Sequence, residues 1–130
     1  NPVSCAAAIA VLQTMEAEGL VANAAARGAE LRAGLDRLAA EDDRIGDVRG
    51  PGLMVGVELV RDRETREADG ELATAMLARC ADLGLLVLTC GPAHNVVRWI
   101  PPIDVSAAEI VESLELFGEA LRTVEVERTA

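Results

Sequence analysis

The sequence predicts an α/β (α+β-like) fold: a small three-stranded, largely antiparallel sheet with helices mainly on one face. Hydrophobic residues make up 51% of the chain but aromatic residues only 2%, so its apolar surface is aliphatic and suits helices and short strands. The periodic segments follow in the order helix, helix, strand, helix, strand, strand, helix. With 130 residues and no visible linker, residues 1–130 are predicted to form one domain.

Two helices are predicted at the amino-terminal end. Asn1-Pro2 is an N-cap followed by proline at the first helical position, which predicts a helix over Val3–Glu18. Its segment Cys5–Leu12 is apolar on every side, and a helix of that kind must be covered on every side. Gly19 ends it, and an amphipathic helix follows from about Val21 to Ala40. We expect an upstream domain or a second subunit to cover the first helix.

The middle of the chain predicts a strand and a helix. A Gly-Pro-Gly turn precedes Leu53–Leu59, where apolar residues alternate as in a strand. The nearby glycines do not indicate a dinucleotide site, because in such sites the glycines follow a strand and open a helix. Apolar residues at helical spacing over Leu72–Leu83 then predict a helix that ends at Gly84.

The last three elements are a hairpin and a helix. The continuous apolar run Leu85–Cys90 predicts a buried strand, and the loop after it leads into a second strand that ends before Pro101-Pro102. Proline cannot donate to a sheet ladder, so pairing must stop there. Ser106 and Glu109 form a capping box that opens the final helix.

Composition and spacing argue against several classes of function. A net charge of −10 disfavours a nucleic-acid binder, and no apolar run reaches the ~18 residues of a membrane span. Cys5, Cys80 and Cys90 are odd in number and widely spaced, which disfavours a disulfide framework or a metal site and favours a reducing cytoplasm. His94 is the single histidine. The chain has no lysine, so no lysine here can form a Schiff base.

Arg98 is the one candidate site residue, within the stretch NVVRWIPPID. In a strand it shares a face with Val96 and Ile100, while Val97 and Trp99 point the other way. Two interpretations follow from this pattern. Arg98 is either a solvated arginine that protects an edge strand, or a clamp for a carboxylate or phosphate, for which the planar guanidinium is well suited.

Four stretches follow one another along the chain: NPVSCAAAIAVL, IGDVRGPGLMVGVEL, LGLLVLTCG and NVVRWIPPIDVSAAEI. In this order they resemble stretches of the class III pyridoxal-phosphate-dependent aminotransferases, the fold-type I group with the ornithine, acetylornithine and 4-aminobutyrate enzymes. The resemblance implies the C-terminal small domain of such an enzyme. The absence of an initiator methionine before Asn1 agrees with a piece of a longer protein.

The resemblance also implies what the parent does. It would move an amino group from an ω-amino acid or related amine to a 2-oxo acid such as 2-oxoglutarate, as a cytoplasmic homodimer. Pyridoxal 5'-phosphate and the catalytic residues would lie in the large domain of the same polypeptide, so this chain alone is expected to be inactive and without bound cofactor. Arg98 matches the family arginine that grips a substrate carboxylate.

Other interpretations stay open from the sequence. The element order also fits a free-standing ferredoxin-like regulatory module that binds a small molecule, since one fold serves many functions. A purely structural dimerisation piece is a third possibility. Within the family, the sequence does not distinguish an aminotransferase from an aminomutase, and it does not identify the amino donor.

Overall fold

The computed structural model describes residues 1–125. This part of the chain contains four helices and five strands: α1 (Pro2–Ala17), α2 (Leu20–Glu41), β1 (Ile45–Arg49), β2 (Val55–Asp62), β3 (Glu67–Ala68), α3 (Gly70–Asp82), β4 (Leu88–Cys90), β5 (Val96–Trp99) and α4 (Ala107–Thr123). The sheet order is β1-β2-β5-β4, and the short β3 pairs with β2. Every pairing is antiparallel.

Short polar segments and glycine fix the helix ends. The Asn1 side chain accepts a hydrogen bond from the Val3 amide at 3.0 Å, which caps α1. Gly19 takes a left-handed φ of 64° between α1 and α2, a conformation that glycine adopts without strain. Ser106 and Glu109 form both hydrogen bonds of the predicted capping box at the start of α4.

The helices α2, α3 and α4 cover one face of the sheet. Val48, Val57 and Val97 stand side by side on that face across β1, β2 and β5. All three are buried. Trp99, on the same face, meets Phe117 of α4 edge to face, with ring centroids 5.3 Å apart. These contacts join the sheet and α4 into one aliphatic core.

The other face of the sheet carries no helix within residues 1–125. One row of residues crosses it from strand to strand: Arg49, Gly56, Arg98 and Leu88. Leu88 is 57% exposed, and Arg98 is exposed as well. We call this surface the open face.

Two loops pack against α2: the segment after β5 and the turn before β2. The Asn23 side-chain amide donates to the carbonyls of Ile103 and Val105 at 2.9 and 3.0 Å. A Cβ on Gly28 would lie 2.3 Å from the carbonyl carbon of Gly52, so α2 packs directly on the backbone of the turn before β2. Only glycine at position 28 permits that approach.

The predicted fold class is confirmed, and β1 and β3 are additional to the three predicted strands. The prediction of a buried strand over Leu85–Cys90 is wrong. Only Leu88–Cys90 pairs, and Leu86 is 87% exposed. The run lies at the sheet edge and borders the open face, so its side chains alternate between contact and solvent. Pairing does stop before Pro101-Pro102, as predicted.

No single helix in 1–125 is long and apolar enough to cross a membrane; α1 and α2 meet those criteria only as a pair, and they meet at 61°. The same residues contain no group of three or more His, Cys, Asp or Glu side chains that could hold a metal ion.

Candidate functional site

The candidate site is the part of the open face around Arg98. Arg98 pairs across the sheet with Gly56 on one side and with Leu88 on the other. Gly56 has no side chain, and the Cγ1 atom of Val96 lies 3.0 Å from the position that a Cβ on Gly56 would take, so Val96 fills part of the space over Gly56. Within residues 1–125, the Arg98 guanidinium forms no hydrogen bond or ion pair; only the backbone of Arg98 is paired, in the sheet ladders. A guanidinium without a carboxylate partner on an uncovered face is available to an anion.

A second arginine on the same face, Arg49, is paired with two carboxylates. The Arg49 Nη1 atom donates to Asp47 Oδ2 at 2.8 Å and also to the Glu58 carboxylate. The hydrogen bonds to Asp47 and Glu58 raise the pKa of Arg49. Arg66 approaches Glu58 more loosely, with 3.9 Å between Nη2 and Oε1. Asp47 and Glu58 therefore both lie at Arg49, and no carboxylate of residues 1–125 forms an ion pair with Arg98.

Two depressions border the strand that carries Arg98. A cavity of about 500 Å³ lies on the side of α4, with Trp99, Pro101, Glu109 and Ser113 among its lining residues. A shallower groove of about 720 Å³ lies on the side of α2 and is mostly apolar. It is lined in part by Met54, Ile100 and Ile103. Ile100 borders both, so the segment after Arg98 separates them.

The cysteines and the histidine occupy unrelated places. Cys5 is exposed on α1, Cys80 is buried in α3 and Cys90 is half-buried on β4; all three thiols are free. Burial raises the pKa of the Cys80 thiol to about 11, which makes it a poor nucleophile. His94 is exposed in the loop before β5, with a φ of 51°. The structure does not combine them into a reactive group.

Arg98 lies where the alternation of its strand predicts, with Val97 and Trp99 buried on the opposite face. Sequence reasoning missed Arg49, Glu58 and Gly56. Their relation to Arg98 depends on the register of β1 with β2 and of β2 with β5, which links residues about 10 and 40 positions apart. The signal available was the alternation of Asp47 and Arg49 with apolar neighbours, which marks β1 as a strand.

The family model described as "Aminotransferase class-III" matches residues 1–121. The chain belongs to the class III aminotransferase family. It is 39% identical over 119 residues to the 4-aminobutyrate aminotransferase GabT of Escherichia coli, a match that covers 92% of this chain and 28% of that protein. The chain therefore spans about 28% of the length of this curated relative.

Solved structures show the same domain in related proteins. An aminotransferase of Bacillus anthracis matches with a TM-score of 0.89 and 31% identity, over 95% of this chain and 29% of that chain. A phospholyase from Arthrobacter, in complex with phosphoethanolamine, matches with a TM-score of 0.91 and 30% identity, over 96% of this chain and 30% of that chain. The class III fold of residues 1–125 thus occurs in enzymes with different reactions.

The family implies pyridoxal phosphate as the parent's cofactor. The residues of this chain do not form its site on their own, because the sequence contains no lysine to attach it. The guanidinium of Arg98 could contact an anion, but a single exposed arginine does not form a site for the cofactor. A lysine that attaches the cofactor is therefore not supplied by this chain.

Proposed function

We propose that residues 1–130 are the C-terminal small domain of a pyridoxal-phosphate-dependent class III aminotransferase. The parent would transfer an amino group from an ω-amino acid or related amine to a 2-oxo acid, with 2-oxoglutarate as the expected acceptor. Pyridoxal phosphate, held by the large domain, would supply the electron sink for this chemistry. The family membership supports the reaction class, and the alternative of a free-standing regulatory module has no support from the comparisons.

In this proposal Arg98 binds the substrate carboxylate. The observation that supports this is that the Arg98 guanidinium is exposed and without an ion pair, while Arg49 on the same face donates to two carboxylates. A guanidinium can grip a carboxylate through two parallel hydrogen bonds, which orients the substrate as well as attracting it. The interpretation of Arg98 as a solvated edge residue is less well supported, because β5 lies inside the sheet between β2 and β4.

The apolar surface of α1 supports a large partner domain. No residue of α1 is buried within the described chain, although Ile9, Val11 and Leu12 are all large and apolar. Leu12 and Val21 share a shallow apolar groove at the corner with α2, and Val21 also borders the groove that contains Met54. We propose that this surface contacts the large domain of the same polypeptide and, in a homodimer, the second subunit.

A second candidate function follows from one observation. The Arthrobacter phospholyase, whose structure holds phosphoethanolamine, superposes with a TM-score of 0.91. Arginine suits a phosphate as well as a carboxylate. The parent could therefore act on a phosphorylated amine, with Arg98 near its anionic end. The cytoplasmic location remains a proposal that rests on the three free thiols.

The test is an activity panel on the full-length protein. We expect amino transfer from ω-amino acids to 2-oxoglutarate, and a large loss of 2-oxoglutarate binding in Arg98→Ala. Simple amines without a carboxylate serve as the internal control, since their half of the reaction does not need the guanidinium. Release of inorganic phosphate from phosphoethanolamine, without amino transfer, would instead establish the lyase. Equal losses of activity with every substrate in Arg98→Ala would contradict the proposal that Arg98 binds the substrate carboxylate.

A further inference from the structure

The register of β1 with β2 places two carboxylates opposite each other on the open face. Asp47 of β1 and Glu58 of β2 are direct cross-strand partners. Like charges in that arrangement destabilise a sheet unless a cation lies between them. Arg49 supplies that cation, because its Nη1 atom contacts both carboxylates. Without Arg49, Asp47 would repel Glu58 toward the rest of the sheet.

The nearest cation in that direction is Arg98. Glu58 pairs with Val96 across the β2–β5 ladder, while Arg98 pairs with Gly56, two residues earlier on β2. Glu58 and Arg98 are therefore diagonal neighbours on one face. Such positions are about 7–8 Å apart, a separation that two long side chains can bridge. Gly56 and Val96 complete this square of four residues, and Val96 Cγ1 lies over Gly56, so the Glu58 side chain would reach Arg98 across the Val96 side chain.

We propose that Arg49 is a positioning residue that keeps Glu58 away from Arg98, and so preserves Arg98 as a free site for the substrate carboxylate. This inference rests on the proposed function of Arg98. Glu58 is an internal competitor for the substrate: it carries the same functional group and is tethered within reach. Arg49 holds it through a hydrogen bond on the far side of Gly56.

Arg66 does not hold the Glu58 carboxylate in the way that Arg49 does. Its Nη2 atom lies 3.9 Å from Glu58 Oε1, beyond hydrogen-bond distance, and its side chain is 53% exposed. An ion pair with that exposure and separation contributes little. Arg66 therefore provides a matched control, since Arg66→Gln removes the same charge near the same carboxylate without releasing it.

The experiment uses the full-length protein with pyridoxal phosphate and compares Arg49→Gln, Arg49→Lys, Arg49→Gln/Glu58→Gln and Arg66→Gln. We expect Arg49→Gln to raise KM for the carboxylate-bearing substrate on the order of 3- to 10-fold, with kcat nearly unchanged. The KM of a simple amine should not move. Arg49→Lys and the double variant should both return KM close to the starting value, and Arg66→Gln should leave it there.

The double variant decides the question. A KM that stays high in Arg49→Gln/Glu58→Gln would overturn the inference, because Arg49 would then act through the strand itself. An equal rise in KM for the carboxylate-bearing substrate and for the simple amine in Arg49→Gln would overturn the inference as well. Arg98→Ala in the same assay separates this result from the proposed function: if Arg98→Ala leaves the KM of the carboxylate substrate unchanged, the clamp itself is wrong. If Arg98→Ala raises KM but Arg49→Gln does not, only the role of Arg49 is wrong.

Discussion

The two faces of the sheet are built from the same strands, but one face packs against the helices and the other carries charged side chains. On the covered face, Val57 and Val97 are fully buried beneath the helices. One residue along each strand, Glu58 and Arg98 point to the open face, where charge and exposure dominate. Because side chains alternate along a strand, a four-residue strand such as β5 can support the core and present a binding group together. Stability and function are thus separated by single positions.

The largest expected effect lies on the covered face. Phe117 is fully buried against Trp99, so Phe117→Ala should lower the free energy of unfolding by about 3–5 kcal/mol, from lost burial and the cavity left behind. Leu88→Ala, on the open face, should change it by about 0.5 kcal/mol or less. Urea unfolding of residues 1–130 measures both. Similar losses in the two variants would break the distinction between the faces.

The next effect concerns chemistry on the open face. Arg98→Lys keeps the charge but cannot form two parallel hydrogen bonds, so it should cost about 1.5–3 kcal/mol of transition-state binding. For a carboxylate-bearing substrate of the full-length enzyme, kcat/KM should then fall on the order of 10- to 100-fold. The melting temperature should stay unchanged. Full activity in Arg98→Lys would show that charge alone is sufficient there.

A smaller effect concerns the ion pair between Asp42 and Arg44 at the end of α2, which makes the stability of the fold depend on pH. Burial raises the pKa of Asp42, but hydrogen bonds from Arg44 outweigh it and lower that pKa below 3.8. The carboxylate therefore stabilises the fold above about pH 3.8, and this contribution disappears as pH falls through the lower, folded-state pKa.

Arg44 also donates to the Leu121 carbonyl, which links this pair to the end of α4. Asp42→Asn should lower the free energy of unfolding by about 1 kcal/mol at pH 7, since the pair is partly exposed. The difference from the unmodified chain should shrink as pH falls below about 3.8 and through the lower, folded-state pKa of Asp42. Chemical unfolding across this pH range measures it, and a difference that is independent of pH would contradict the assignment.

The smallest effect on stability is expected on α1. Ile9→Glu places a charge on a helix that has no buried residue, so the free energy of unfolding should change by about 0.5 kcal/mol or less. The same substitution should reduce self-association and dye binding of residues 1–130. Gln13→Glu is the matched control: it adds the same charge to α1 without removing apolar surface. Identical sedimentation of both variants would argue against an apolar contact.

The elements that sequence predicts best are those with strong local signals. The capping box at Ser106 and Glu109, the proline stop after Trp99 and the alternation around Arg98 all depend on neighbouring residues, and all three are confirmed. Local signals decide them because each involves contacts within a few residues.

The rest depends on pairing between distant segments. The pairing of Gly56 with Arg98 comes from a register that no local pattern specifies, and it places the guanidinium beside a residue without a side chain. The exposure of Leu86 likewise follows from its place at the sheet edge, which a continuous apolar run does not reveal. The pairing of Arg49 with Glu58 was missed for the same reason.

The edge strands of the sheet affect how copies of this domain associate when it is produced by itself. β4 has only three residues, and β1 contains a register shift between Ile45 and Asp47. The Arg63 guanidinium also donates to the Ile45 carbonyl at 2.9 Å. Short, bulged and capped edges are poor templates for adding a strand. Copies that meet through α1 should therefore form reversible oligomers rather than amyloid, with no rise in thioflavin T fluorescence over time.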